Sequence, residues 1–239
     1  MREVTAWLLA YDKHYLQGGD EYQWESLELA KNYPNGYLIA VLLAQGVKAE
    51  TFWRIPRLWK EEHDIDLSTC PLYKEKHWEN LLREVGYRFP STMAGYIYCA
   101  MRKLHDEYFG DAMNIWGNKA TASEIYDRLI AFNGIGQKKA SMTVNILFRE
   151  GILDLKDKEK IDISYDKHIR QVLVRSGLAE EDTMDCIVQT ARDEHPKYPG
   201  ALDKPCWYIG QDWCFNENPA CNFCPLTKVC EKKVEFIAR

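Results

Sequence analysis

The chain has 239 residues, of which 46% are hydrophobic, 28% charged and 13% aromatic, with 14 Gly and 9 Pro. That composition excludes disordered, collagen-like and small disulfide-stapled classes and leaves a soluble globular protein with room for one large domain or two lobes. Lys and Arg number 31 against 36 Asp and Glu, a formal charge of −5, so adhesion to nucleic acid over the whole surface is excluded and any polyanion site is local.

No stretch approaches the roughly 18 apolar residues of a membrane span. The start, Met1-Arg2-Glu3-Val4, lacks the basic region and apolar run of a secretory signal. A reducing, cytoplasmic and nucleoid-associated setting is expected, with no membrane partner. Tyr33-Pro34-Asn35-Gly36 reads as a stop, and the apolar run from Tyr37 to Ala44 as a buried helix ending at the polar Gln45. Val85-Gly86-Tyr87 marks a turn, with Tyr87 explained by ordinary packing. Phe89-Pro90-Ser91 starts another helix with Ser91 as its cap, and apolar residues three and four apart continue through Ala94 to Phe109 and Thr121 to Phe132. Period-two alternation is scarce, so a mainly α protein is expected.

The segment Leu129 to Ala140 joins two helical patterns through Gly134-Ile135-Gly136. Two glycines a residue apart let the backbone turn sharply and come close to another molecule, and the helix that follows offers amides at its start: a phosphate seat. A plain helix–helix turn has the same pattern. Ile135 as an apolar anchor, and Lys138 and Lys139 in the first helical turn, favour the phosphate seat; from Ile130 to Asn145 the two lysines stand without an acid. Cations at a helix N-terminus oppose the macrodipole, a placement that suits a nucleophilic amine; solvated phosphate-binding lysines are the other reading, and the favoured one for Lys139.

Further on, Ile152, Leu153, Leu155, Ile161 and Ile163 flank the charged run from Lys156 to Lys160, which fits either a small projecting β-hairpin over 151–165 or an irregular solvated loop. Asp166, in Tyr165-Asp166-Lys167-His168-Ile169-Arg170, stands at a helix start as an N-cap. Pro196 to Gly200 interrupts the chain late.

Of eight cysteines, Cys214, Cys221, Cys224 and Cys230 crowd near the end as C-x6-C-x2-C-x5-C. Four soft donors on one loop can wrap a tetrahedral or cubane core; structural zinc is the rival, although zinc ribbons usually pair two C-x2-C knuckles and only one is present. Cys70, Cys99, Cys186 and Cys206 read as small buried hydrophobes or inert thiols. The cysteine spacing, followed by Pro225-Leu226, resembles the terminal [4Fe-4S] loop of the endonuclease III and adenine glycosylase family of DNA repair enzymes. The Gly134-Ile135-Gly136 segment is similar to that family's helix-hairpin-helix, and Tyr165 to Arg170 to its V-D-T-H-I-x-R motif. Relative to the family the chain carries an insertion at Gly151 to Tyr165 and has Asn133 where many relatives have Pro.

The resemblance implies a two-lobed helix-hairpin-helix DNA glycosylase fold with a C-terminal [4Fe-4S] loop held by Cys214, Cys221, Cys224 and Cys230, and leaves room for a monovalent cation at the hairpin. It makes Lys138 the amine that attacks the sugar C1′ and Asp166 the carboxylate that assists. Gly134, Ile135, Gly136, Lys139 and His168 would bind DNA, Gln45 would enter the duplex where the flipped nucleotide leaves, and Tyr87 would stack on the opposite strand. The implied activity is base-excision repair, a DNA glycosylase with AP lyase activity acting as a monomer on duplex DNA that holds a damaged, mismatched or abasic nucleotide. The alternatives are a monofunctional adenine or mismatch glycosylase using water activated by Asp166, and an inactive DNA-binding module. The expected organisation is an extension over 1–36 packing on the cluster-side lobe and a helical lobe over 37–148 with the helix-hairpin-helix at 122–148. The insertion over 149–165, helices over 166–213, the cluster loop over 214–230 and a tail over 231–239 follow.

Overall fold

The computed structural model describes residues 1–16, 21–117 and 119–238, and among them there are α-helices, short 3-10 turns and no strand. In chain order the helices are α1 (Glu3–Tyr15), α2 (Glu21–Asn32), α3 (Pro34–Leu43), α4 (Ala49–Phe52), α5 (Ile55–His63), α6 (Glu75–Glu84) and α7 (Pro90–Tyr108). They continue as α8 (Met113–Trp116), α9 (Ala122–Ile130), α10 (Gln137–Arg149), α11 (Lys167–Arg175), α12 (Met184–Glu194) and α13 (Asp203–Asp212). None of the described helices is long and apolar enough to cross a membrane. Two compact units share the chain: Gly19–Leu155, and Met1–Gly18 together with Lys156–Arg239.

The Gly19–Leu155 unit is built on α3. A helix apolar on every side has no face to offer water and is buried, and every residue from Tyr37 to Leu43 is fully inaccessible. The Tyr37 ring stacks on Trp53 at 5.3 Å and meets Trp116 edge-on at 5.8 Å. Asn35, in the first turn, fixes the helix to its surroundings: its amide donates to the carbonyls of Leu67 and Gly110, both at 2.8 Å, and its Oδ1 accepts from the Ala112 N–H at 2.7 Å. Such a fully used buried amide is costly to replace. Helix α9 starts on a capping box in which Thr121 and Glu124 satisfy each other's backbone amides, and α10 packs against both α9 and α3.

The other unit joins α1 to α11, α12 and α13. Val4, Leu8 and Tyr11 of α1 share a core with Ile169, Leu173 and Ile209. Glu194 ties the start of the chain down, accepting from the Arg2 backbone N–H at 2.7 Å, the Arg2 Nε at 2.5 Å and the Thr5 hydroxyl at 2.7 Å. Cys206 is wholly buried in this core.

Two expectations need correcting. Ser91 does not cap its helix: α7 begins at Pro90, whose missing N–H is no loss in a first turn, and the Ser91 hydroxyl donates to Glu79 Oε1 at 2.8 Å. The β-hairpin over 151–165 is absent, and the segment is a loop with one 3-10 turn at Lys158–Lys160. Its amides are taken up elsewhere. Ile152 and Leu153 N–H both donate to the Leu147 carbonyl, closing the end of α10, and the Ile161 carbonyl accepts from Gly200 N–H at 2.8 Å. Leu155, Ile161 and Ile163 are buried, so the alternation records loop anchors and not a ladder.

Candidate functional site

In the Gly19–Leu155 unit the hairpin between α9 and α10 has the form the glycine spacing dictates. Gly134 has φ +88°, and a Cβ there would lie 2.5 Å from the Tyr96 ring, so no other residue fits without displacement. Gly136 is different: its φ of −103° is open to any residue, and an added Cβ would meet nothing within 4 Å. The fold itself therefore does not require glycine there. Ile135 is buried and anchors the turn, while its N–H donates to the Phe132 carbonyl at 3.1 Å.

The two lysines of the first turn of α10 part company. Lys138 is exposed. Lys139 is buried, its Nζ donating to the Leu42 carbonyl at 2.7 Å and the Gly134 carbonyl at 2.9 Å. It is therefore not the solvated phosphate ligand that its position in sequence suggests, because a carbonyl from the end of α3 draws it inward. Burial, and then the Lys138 charge, pull its ammonium down to about 8.

Gln45 is exposed immediately beyond α3, its N–H donating to the Leu43 carbonyl at 2.7 Å. Tyr87 lies beneath this segment and is only 5% exposed. Its hydroxyl donates to the carbonyls of Leu43, at 2.9 Å, and Gln45, at 3.3 Å. The ring is thus a support for Gln45, with no free face for a base.

In the other unit Asp166 is 4% exposed and caps α11, its Oδ1 accepting from the His168 N–H at 2.8 Å. The chain before it is held by Asp203 at the start of α13, whose Oδ2 accepts from both the backbone N–H and the hydroxyl of Ser164, at 2.8 and 2.6 Å. The Ser164 carbonyl then accepts from Asp166 N–H at 2.8 Å. His168 is half-buried and meets the Trp207 ring edge-on at 6.1 Å. Lys138 and Asp166 belong to different compact units. Nothing local in the sequence marks Ser164 or Asp203, because their pairing spans 39 residues.

The four clustered cysteines line one cavity of about 390 Å³, counting the space that opens to solvent. As they stand, no three His, Cys, Asp or Glu side chains among the described residues are drawn together into a metal-holding group. The donor set and the shared cavity suit a soft, thiolate-bound core. Burial raises the Cys214, Cys224 and Cys230 thiols, Cys224 to about 11, and the neighbouring sulfurs add to the rise; four thiolates need a cationic centre to hold them.

Arg175, the last residue of α11, is 1% exposed and lines the same cavity. Its guanidinium donates to the carbonyls of Phe236 at 2.8 Å, Phe215 at 2.6 Å, Asn216 at 2.9 Å and Val234 at 3.4 Å, and stands 3.7 Å from Cys214 Sγ. In sequence it is indistinguishable from a surface arginine in a last helical turn. Arg175→Met leaves these carbonyls unpaired and lowers stability by about 3 kcal/mol or more in urea unfolding. Arg175→Lys recovers only part, since an ammonium cannot serve a fork of acceptors.

By sequence the chain matches no protein-family model and no curated protein. Solved structures do match. A trapped endonuclease III–DNA covalent intermediate, an estranged-adenine complex, is 21% identical with a TM-score of 0.70 over 97% of this chain and 96% of that one. A thermostable thymine-DNA glycosylase is 12% identical with a TM-score of 0.68 over 97% and 95%. The 8-oxoguanine glycosylase/lyase of Methanocaldococcus jannaschii, in complex with DNA containing 8-oxoguanine, is 17% identical with a TM-score of 0.63 over 87% and 97%. What the chain shares with them is architecture: its helices take the helix-hairpin-helix DNA glycosylase fold.

Proposed function

We propose that this protein is a DNA glycosylase with AP lyase activity that removes a damaged or mispaired base from duplex DNA. The observation that carries the reading is the hairpin: an open-faced Gly136 at the start of α10 with an exposed Lys138 two residues on, on a fold shared with an endonuclease III captured as a covalent DNA intermediate.

A base stacked in a duplex hides its sugar C1′, so the nucleotide must first be extruded, at a cost of a few kcal/mol that is least for a damaged or mispaired base. The hairpin amides and Gly136 hold the phosphate backbone, and Gln45, propped by Tyr87, fills the gap. Lys138 as a neutral amine forms a bond to C1′ while the glycosidic bond breaks, the base leaving with the electron pair and taking up a proton. Asp166 as a carboxylate stabilises the positive charge on the sugar and helps move protons. The sugar ring opens to an imine on Lys138, loss of a C2′ proton expels the 3′ phosphate, and hydrolysis frees the lysine.

Cys214, Cys221, Cys224 and Cys230 would hold a [4Fe-4S] cluster, which supplies a cross-link for the loop beyond α13 and no step of the reaction. A brown protein with a shoulder near roughly 400 nm supports the cluster, and a colourless zinc-loaded one contradicts it.

Gly136→Ala costs the fold at most about 1 kcal/mol, the worth of a helix N-cap, yet weakens binding to an abasic-analogue duplex by about tenfold, the worth of one charge-assisted contact. Thermal melting and fluorescence anisotropy read the two effects separately. The activity itself is tested on duplexes carrying oxidised pyrimidines, 8-oxoguanine, uracil, mismatches or an abasic site. Release of a base from one of the first four together with nicking of the last is expected; failure on all of them contradicts the reading.

A further inference from the structure

Lys139 is a buried charge beside the hairpin that the chemistry above leaves without a task. Its side chain, 97 residues along the chain from Leu42, bridges two segments, with Nζ on the Leu42 carbonyl at 2.7 Å and on the Gly134 carbonyl at 2.9 Å. Leu42 lies three residues before Gln45, and Gly134 four before Lys138. Tyr87 in turn holds the carbonyls of Leu43 and Gln45. The run from Leu42 to Gln45 is therefore held by a cation on the Leu42 carbonyl and a phenol on those of Leu43 and Gln45. Neither α3 nor the turn over 131–136 contains a charged residue, so neither offers the ammonium a carboxylate. An ammonium buried in that way is a cost to the fold, and its depressed titration reports that cost: between about 8 and the ordinary lysine value the unfolded chain binds the extra proton, so the contribution of this group to stability rises with pH. What the charge provides is geometry.

We propose that Lys139 is a positioning residue for the reaction: it ties the hairpin turn to the end of α3 and so fixes where Lys138 and Gln45 stand relative to one another on a bound duplex. The proposal rests on the glycosylase and lyase reading. Its physical content is that a displacement of about 1 Å at a reacting group costs up to roughly 10²-fold in rate while leaving affinity nearly intact.

The test compares wild type with Lys139→Met, Lys139→Gln and Lys139→Arg in two assays. One measures affinity for a duplex holding a tetrahydrofuran abasic analogue, and the other the single-turnover rate of borohydride trapping on an abasic duplex at saturating protein. The Met and Gln variants are expected to bind within about threefold of wild type yet trap at least about tenfold more slowly, with Arg, which keeps a cation, recovering part of the rate. Trapping within about twofold of wild type in both neutral variants overturns the proposal. So does weakened binding with an unchanged saturated rate, which marks a phosphate contact. If wild type itself traps nothing, the enzymatic reading fails, and hydrogen exchange then decides on the tie alone. Faster exchange at residues 43–46 and 134–136 together in any of the three variants sustains it, and unchanged exchange at both removes it.

Discussion

Lys138→Gln is expected to abolish the proposed covalent protein–DNA adduct and to lower nicking of abasic duplex by on the order of 10³-fold or more, as loss of a nucleophile does. The size of the effect follows from what the neighbouring lysine is doing. Lys139 has the same chemistry one residue on, but its amine is buried on two carbonyls, and freeing it would orphan both. It is in no position to substitute. Binding changes little by comparison: one cation is lost from the hairpin, so the dependence of affinity on salt becomes shallower by about 0.9 in slope. A Lys138→Gln protein that still releases a base at the wild-type rate would instead favour a monofunctional enzyme in which Asp166 activates water.

The second large effect is at Asp166, where chemistry and structure can be separated by the choice of substitution. The carboxylate caps α11 through the His168 N–H, and Asn caps a helix as well as Asp does. Asp166→Asn is therefore expected to melt within about 0.5 kcal/mol of wild type. It loses the charge proposed to steady a cationic sugar, and base release is expected to fall by about 10² to 10⁴-fold, with duplex affinity unchanged. Asp166→Ala loses the cap as well, about 1 kcal/mol in stability, for the same loss of rate. Base release undiminished in the Asn variant would remove Asp166 from the chemistry.

The features legible in the sequence are those written in local pattern. A run apolar on all sides becomes the buried α3, two glycines a residue apart become a tight turn between helices, and an Asp ahead of a helical pattern becomes its cap. Where local pattern misleads, a distant group intervenes. Lys139 looks like its exposed neighbour until the Leu42 carbonyl is brought beside it. Tyr87 looks like an available ring, but the carbonyls of Leu43 and Gln45 hold its hydroxyl inside, and burial pushes that phenol up to about 12. The alternation around Lys156 to Lys160 imitates strands because Ile161 and Ile163 anchor a loop in the core beneath it. Arg175 and the Ser164–Asp203 pair depend on partners far along the chain, which no spacing rule reports.

The proposed bond between Lys138 and the sugar of a damaged site can be captured directly. Wild-type protein is incubated with abasic duplex in the presence of borohydride, the adduct is digested, and the modified peptide is sequenced by mass spectrometry. A reduced sugar linked to Lys138 is expected. A protein that binds the duplex but yields no adduct, or one whose adduct maps to another residue, contradicts it.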